Sequence, residues 1–118
     1  MKSATDLIAD AKTRIREVTA LETMTLIEAG TPLLLVDCRE HNEWNLGRIP
    51  GATFLPRGIL EQNIEALASR DRKVILYCAS GNRSALAADT LQQMGYADVA
   101  SMAGGFRAWV DAGGEIED

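Results

Sequence analysis

Lys73-Val74-Ile75-Leu76-Tyr77-Cys78-Ala79-Ser80-Gly81-Asn82-Arg83-Ser84 is the stretch on which the reading of the whole chain turns. Its first five residues include the unbroken apolar run Val74 to Tyr77, the pattern of a strand buried on both faces in a parallel sheet covered by helices. Small polar residues and a glycine follow. From about Arg83 to Met94, Ala87, Leu91 and Met94 recur on one side of a helix, and Gly95 ends it. A buried strand that passes through a tight glycine-containing loop into a helix is one step of an α/β domain.

The flanking sequence repeats that step. Leu33-Leu34-Leu35-Val36 predicts another strand buried on both faces, Ala52 to Leu55 a shorter one, and Asp98 to Met102 a last one. Between them, Ala20 to Ala29 reads as a helix stopped by Gly30 and Pro32, and Ile59 to Ser69 as a helix with Ile64 and Leu67 inward. Gly104-Gly105 turns into a short final helix carrying Phe106, Trp109 and Val110. At the other end, Leu7, Ile8, Ala11, Ile15 and Val18 recur at helical spacing from Ser3 to about Val18, with Ser3 and Asp6 placed to cap the first turn. Strands alternating with helices at this density predict an α/β fold with a mostly parallel sheet. Residues 1–16 are read as an amphipathic helical extension and 17–118 as the domain proper.

Composition bounds the function. The chain has 118 residues, 47% hydrophobic and 25% charged, with a formal net charge of −5. One ordinary domain with its own core is the expected outcome, and disorder or a coiled coil is not. A net-acidic chain without a basic cluster excludes a nucleic-acid role, because a polyanion is bound by a basic face. The first 16 residues carry charges throughout and no apolar stretch of membrane-spanning or signal-peptide length, so a cytoplasmic chain with reduced thiols is expected. Cys38 and Cys78 stand forty positions apart with no CxxC, which leaves no metal site to expect.

Ligands of open α/β sheets bind beyond the carboxyl ends of the strands, and Cys78 is at such an end. A cysteine between a buried strand and a helix sits where backbone N–H groups converge and the positive end of the helix dipole points. Both stabilise a thiolate and hence a nucleophile. The plainer reading, an inert core cysteine, does not account for the loop that follows. Its small residues and Gly81 let the backbone curl around an anion, and Arg83 stands at the helix entry. Four residues separate Cys78 from Arg83. The CX5R loop of cysteine phosphatases has one residue more, so the present cradle suits a single extra sulfur better than a phosphoryl group.

Four segments together closely resemble the rhodanese family in its single-domain form: Val36-Asp37-Cys38-Arg39-Glu40 with Glu43-Trp44, then Gly47-Arg48-Ile49-Pro50-Gly51-Ala52, the loop Cys78 to Arg83, and Gly104-Gly105-Phe106 with Trp109. The resemblance covers about residues 17–113. It implies a three-layer domain around a five-stranded sheet, with Cys78 cycling between thiol and persulfide and the backbone of Ala79, Ser80, Gly81, Asn82, Arg83 and Ser84 as its cradle. It implies a sulfurtransferase of the thiosulfate type that needs no cofactor. Its partners would be a small anionic sulfur donor and a thiol or cyanide acceptor, with a protein acceptor as a further partner, and no nucleic acid or membrane. The chain would be a monomer or weak homodimer. The alternatives are a non-enzymatic persulfide carrier or regulatory binding module and, further off, a cysteine phosphatase or arsenate reductase.

Two departures from the family pattern matter. Position 48 is arginine where histidine is usual, and is read as structural. Ala79 stands where many thiosulfate-using relatives carry a basic residue; Arg57, past the short strand, is the candidate to compensate as an anion contact. Cys38 is read as packing rather than as a resolving thiol, Arg39 and Glu43 as an i,i+4 scaffold ion pair, and His41 as a solvated loop residue. Trp44, Phe106 and Trp109 are read as packing aromatics.

Overall fold

A computed structural model describes residues 1–118. Its centre is a five-stranded parallel sheet in the order β1-β5-β4-β2-β3, formed by Arg16–Val18, Val99–Met102, Val74–Tyr77, Leu34–Asp37 and Thr53–Phe54. The six α-helices are α1 (Ala4–Arg14), α2 (Ala20–Glu28), α3 (His41–Leu46), α4 (Leu60–Leu67), α5 (Asn82–Gln93) and α6 (Gly105–Asp111), and a 3₁₀ turn at Arg57–Ile59 leads into α4. No helix is long and apolar enough to cross a membrane.

β4 lies in the middle, and its alternation feeds two cores. Val74 and Leu76 face one way, onto Leu60 and Ile64 of α4 and Ala87, Ala88 and Leu91 of α5. Ile75 and Tyr77 face the other way, with Leu35, Met102 and Trp109, under α2 and α6. All four residues of β4 are buried, as its unbroken apolar run requires. The result is the helix–sheet–helix layering expected from the sequence.

Three local expectations are corrected. The N-terminal helix ends at Arg14, and Arg16–Val18 forms β1, paired in parallel with Ala100 to Met102. Two of its three residues are exposed charged ones, so no strand alternation is legible, while Val18 falls by coincidence at helical spacing. Second, His41–Leu46 is a helix, begun when the Glu43 carboxylate accepts the Glu40 N–H at 2.9 Å; with no buried residue it leaves no apolar periodicity to read. Third, Arg39 does not pair with Glu43. It precedes α3, so helical i,i+4 geometry never applies to it.

Arg39 turns inward instead. Its guanidinium donates to both carboxylate oxygens of Asp37, at 2.7 to 3.1 Å, and to the Gly47 carbonyl at 2.7 Å. It also lies 4.4 Å from the centre of the Phe106 ring. One buried cation thus ties the end of β2 to the chain after α3 and to α6. Asp37 is fully buried and Arg39 nearly so. Arg39→Ala strands a buried carboxylate, and should cost about 3–5 kcal/mol in urea unfolding. A loss below 1 kcal/mol would show that the pair does not hold these elements together.

Candidate active site

Cys78 follows the last residue of β4 and is fully buried. Its Sγ accepts the N–H of Gly81 at 3.1 Å and of Ser84 at 3.4 Å, and the Ser84 hydroxyl is 3.5 Å away. The Ser84 hydroxyl is in turn hydrogen-bonded to that of Ser101 on β5, at 2.8 Å. Both serines are fully buried. The loop turns its N–H groups inward because its carbonyls are taken outside: Phe106 N–H donates to the Cys78 carbonyl at 2.8 Å and Arg107 N–H to that of Ala79 at 3.2 Å. Two glycines make this possible. Gly81 has φ of +95°, which reverses the chain toward the sulfur, and a Cβ on Gly105 would lie 2.7 Å from the Ala79 carbonyl carbon.

Burial opposes ionisation of Cys78, but the Ser84 hydroxyl and the N–H groups of Ser84, Ser80 and Gly81 outweigh it and hold the thiol below its ordinary value. The neighbouring Cys38 goes the opposite way. It is buried on the adjacent strand end, donates its N–H and its thiol to the Tyr77 carbonyl at 2.9 and 3.3 Å, and has no inward amide cradle. Burial, the charge on Cys78 and Asp37 raise it far above the ordinary thiol range. Both cysteines are free, and only one is built to be a thiolate.

The remaining candidates divide by what they touch. Arg83 donates to both carboxylate oxygens of Glu43 at 2.8 and 3.0 Å, so it ties the loop to α3. Arg57 donates to Glu61 at 2.9 Å and to the Thr90 hydroxyl at 3.1 Å. Asn82 is exposed, and its side-chain oxygen receives Lys12 of α1 at 3.4 Å. Ala79 meets α6 through its carbonyl. His41 is exposed and packs edge-on against Phe54, with ring centres 5.7 Å apart. Trp44 packs against Phe54 and under Arg48, whose guanidinium also donates to Glu117. No three His, Cys, Asp or Glu side chains converge as a metal site would need.

Sequence reasoning missed Ser101 and the role of Glu43. A hydroxyl inside the otherwise apolar run Val99-Ala100-Ser101-Met102, close to the carboxyl end of a buried strand, is a signal that could have found the first. Glu43 was hidden by its plausible but unreal partner, Arg39.

The rhodanese-like domain model matches residues 19–112. The thiosulfate sulfurtransferase GlpE of Shewanella oneidensis is 40% identical over 78 residues, 66% of this chain and 76% of that protein. The probable adenylyltransferase/sulfurtransferase MoeZ of Mycobacterium tuberculosis is 34% identical over 94 residues; the match spans 78% of this chain but only 24% of that protein. A structure from Rhodopseudomonas palustris, described as a protein of unknown function and possible tyrosine phosphatase, superposes with a TM-score of 0.91 at 38% identity, covering 99% of this chain and 96% of that one.

Two outcomes follow from the geometry. Ser84→Ala removes a hydroxyl from the sulfur, so the pH midpoint of Cys78 alkylation by iodoacetamide should move upward; an unmoved midpoint would show that this hydroxyl does not stabilise the thiolate. Glu43 is held at about 2, below the ordinary 4.5, mainly by its hydrogen bond to Arg83. A depressed carboxylate contributes stability that is complete above pH 4.5 and lost as pH falls toward 2. The stability gap between the wild type and Glu43→Gln should therefore be constant above pH 5 and shrink below 4.5 in acid titrations followed by circular dichroism. A gap independent of pH would contradict the ion pair.

Proposed function

The chain belongs to the rhodanese-like domain family, and on that premise we propose that it is a sulfurtransferase that carries a sulfane sulfur as a persulfide on Cys78. The single observation that supports this most directly is the inward set of donors around Sγ, sized for a thiolate or its persulfide and formed by a loop with four residues between Cys78 and Arg83.

The first half-reaction is attack of the Cys78 thiolate on the outer sulfur of an anionic donor such as thiosulfate. The new S–S bond forms as the donor's S–S bond breaks, and its electron pair leaves on sulfite. The terminal sulfur of the persulfide carries the negative charge, and the amides of Ala79 to Ser84 are the donors available to it. In the second half-reaction a nucleophile, cyanide in the assay or a thiol in the cell, takes the outer sulfur and returns the thiolate. The leaving group in that step is the Cys78 sulfur, so the interactions that depress its protonation assist both halves. Arg83 acts as a positioning residue through Glu43; Arg57, whose guanidinium is held by Glu61 and Thr90, would serve as an anion contact only by leaving them. The residues supply this chemistry without a cofactor. The GlpE name on a relative agrees with thiosulfate as donor, and a protein acceptor is a further partner of the same chemistry.

The phosphatase description of the Rhodopseudomonas palustris structure raises a second reading. Against it stands the shorter loop, and also the fact that both guanidinium arms of Arg83 are taken by Glu43 rather than offered bidentately to a phosphoryl group.

Intact mass after incubation with thiosulfate tests the proposal. The wild type should gain one sulfur, lose it on adding cyanide, and Cys78→Ser should gain none while keeping its fold. Transfer to cyanide at the wild-type rate by Cys78→Ser would overturn it.

A further inference from the structure

Nine of the chain's twelve lysines and arginines have a carboxylate partner; Lys12, Arg72 and Arg107 do not. Arg72 lies just before β4, at the opposite end of the sheet from Cys78. Arg107 lies at the site. Its N–H holds the Ala79 carbonyl, and its side chain lines a hollow of about 320 Å³ with Ala79, Phe106, Val110 and Asp111. That volume is at the lower end for a small-molecule site. One of its lining residues, Ala79, is next to the nucleophile in the chain.

The lining is specific in sign as well as size. Arg107 and Asp111 are one helical turn apart on α6, the spacing at which such a pair normally joins, yet no ion pair forms between them. The two opposite charges stand separately on one face, with the apolar side chains of Phe106 and Val110 between and beside them. Thiosulfate or sulfite would find Arg107 attractive but Asp111 repulsive, and has no use for an apolar wall. A small thiol bearing both a carboxylate and an ammonium meets no such conflict.

Resting on the sulfurtransferase reading, we infer that this hollow seats the amino-acid end of a zwitterionic thiol acceptor, its carboxylate on Arg107 and its ammonium on Asp111, with its sulfur directed at the Cys78 persulfide past Ala79. The acceptor thiolate attacks the outer sulfur, a new S–S bond forms, and the bond to Cys78 breaks with its electron pair returning to Cys78 Sγ. The outer sulfur leaves on the acceptor as a persulfide, so atoms and charge balance without an outside oxidant or reductant. Ala79 has a reason to be small in this arrangement: a long basic side chain there would occupy the hollow.

The test uses the full chain loaded with sulfur from thiosulfate and freed of excess donor. L-cysteine, cysteamine, which lacks the carboxylate, and 3-mercaptopropionate, which lacks the ammonium, are added at equal thiolate concentration, and the loss of the extra sulfur is followed by intact mass. L-cysteine should empty Cys78 faster than either, by about fivefold for each charge. Arg107→Ala should abolish the advantage over cysteamine, and Asp111→Asn the advantage over 3-mercaptopropionate. Equal rates for the three thiols, or a preference that survives both substitutions, would overturn the inference while leaving a loaded persulfide in evidence. Failure of any sulfur to load on Cys78 would instead overturn the transferase reading, and this acceptor with it.

Discussion

The backbone of the Cys78–Ser84 loop has to satisfy its own polar groups, and the way it does so organises the molecule around it. Carbonyl oxygens of Cys78 and Ala79 go outward to the first amides of α6; amides of Gly81 and Ser84 go inward to the sulfur. A buried peptide group without a partner is costly, so neither half of this division can be removed without disturbing the other. α6 is therefore part of the site even though it contributes no side chain to the sulfur. The close approach it needs is granted by Gly105, where any side chain would press on the Ala79 backbone.

A second layer holds that arrangement in place. Arg39 stacks near Phe106, at the start of α6, and is anchored by Asp37 at the end of the strand beside β4. Arg83 and Glu43 close the opposite flank by joining α5 to α3. The two ion pairs differ in kind. The first is nearly water-free and is a matter of fold; the second is partly exposed and is a matter of aim. In each case the guanidinium is paired with a carboxylate, which is why the site's electrostatics rest on amides and hydroxyls more than on arginine charge.

Much of this was legible in the sequence, for physical reasons that can be named. Val74 to Tyr77 and Leu33 to Val36 are apolar without interruption because both faces of those strands are buried, and Cys78 stood out because a small-residue loop follows such a run. Elements without an apolar face were invisible: β1 has one buried residue, α3 none. Ion pairs were the weakest part of the reading. Spacing offered Glu43 to Arg39, but partners across forty residues are decided by tertiary packing, and Arg83 took it. Cys38 and Cys78 differ in their amide surroundings and not in burial, a difference set by tertiary packing that burial patterns in the sequence do not carry.

The three residues of β1 are short and half exposed, yet they cover one side of β5, whose four residues are all buried. β5 carries Ser101 and hydrogen-bonds to β4. A chain beginning at residue 19, where the family match begins, would present β5 with an open row of peptide groups along an apolar strand, the template on which sheets of separate molecules join. That edge of β5 is covered by β1. Its two exposed charged residues, Arg16 and Glu17, keep the new outer edge from becoming the same hazard.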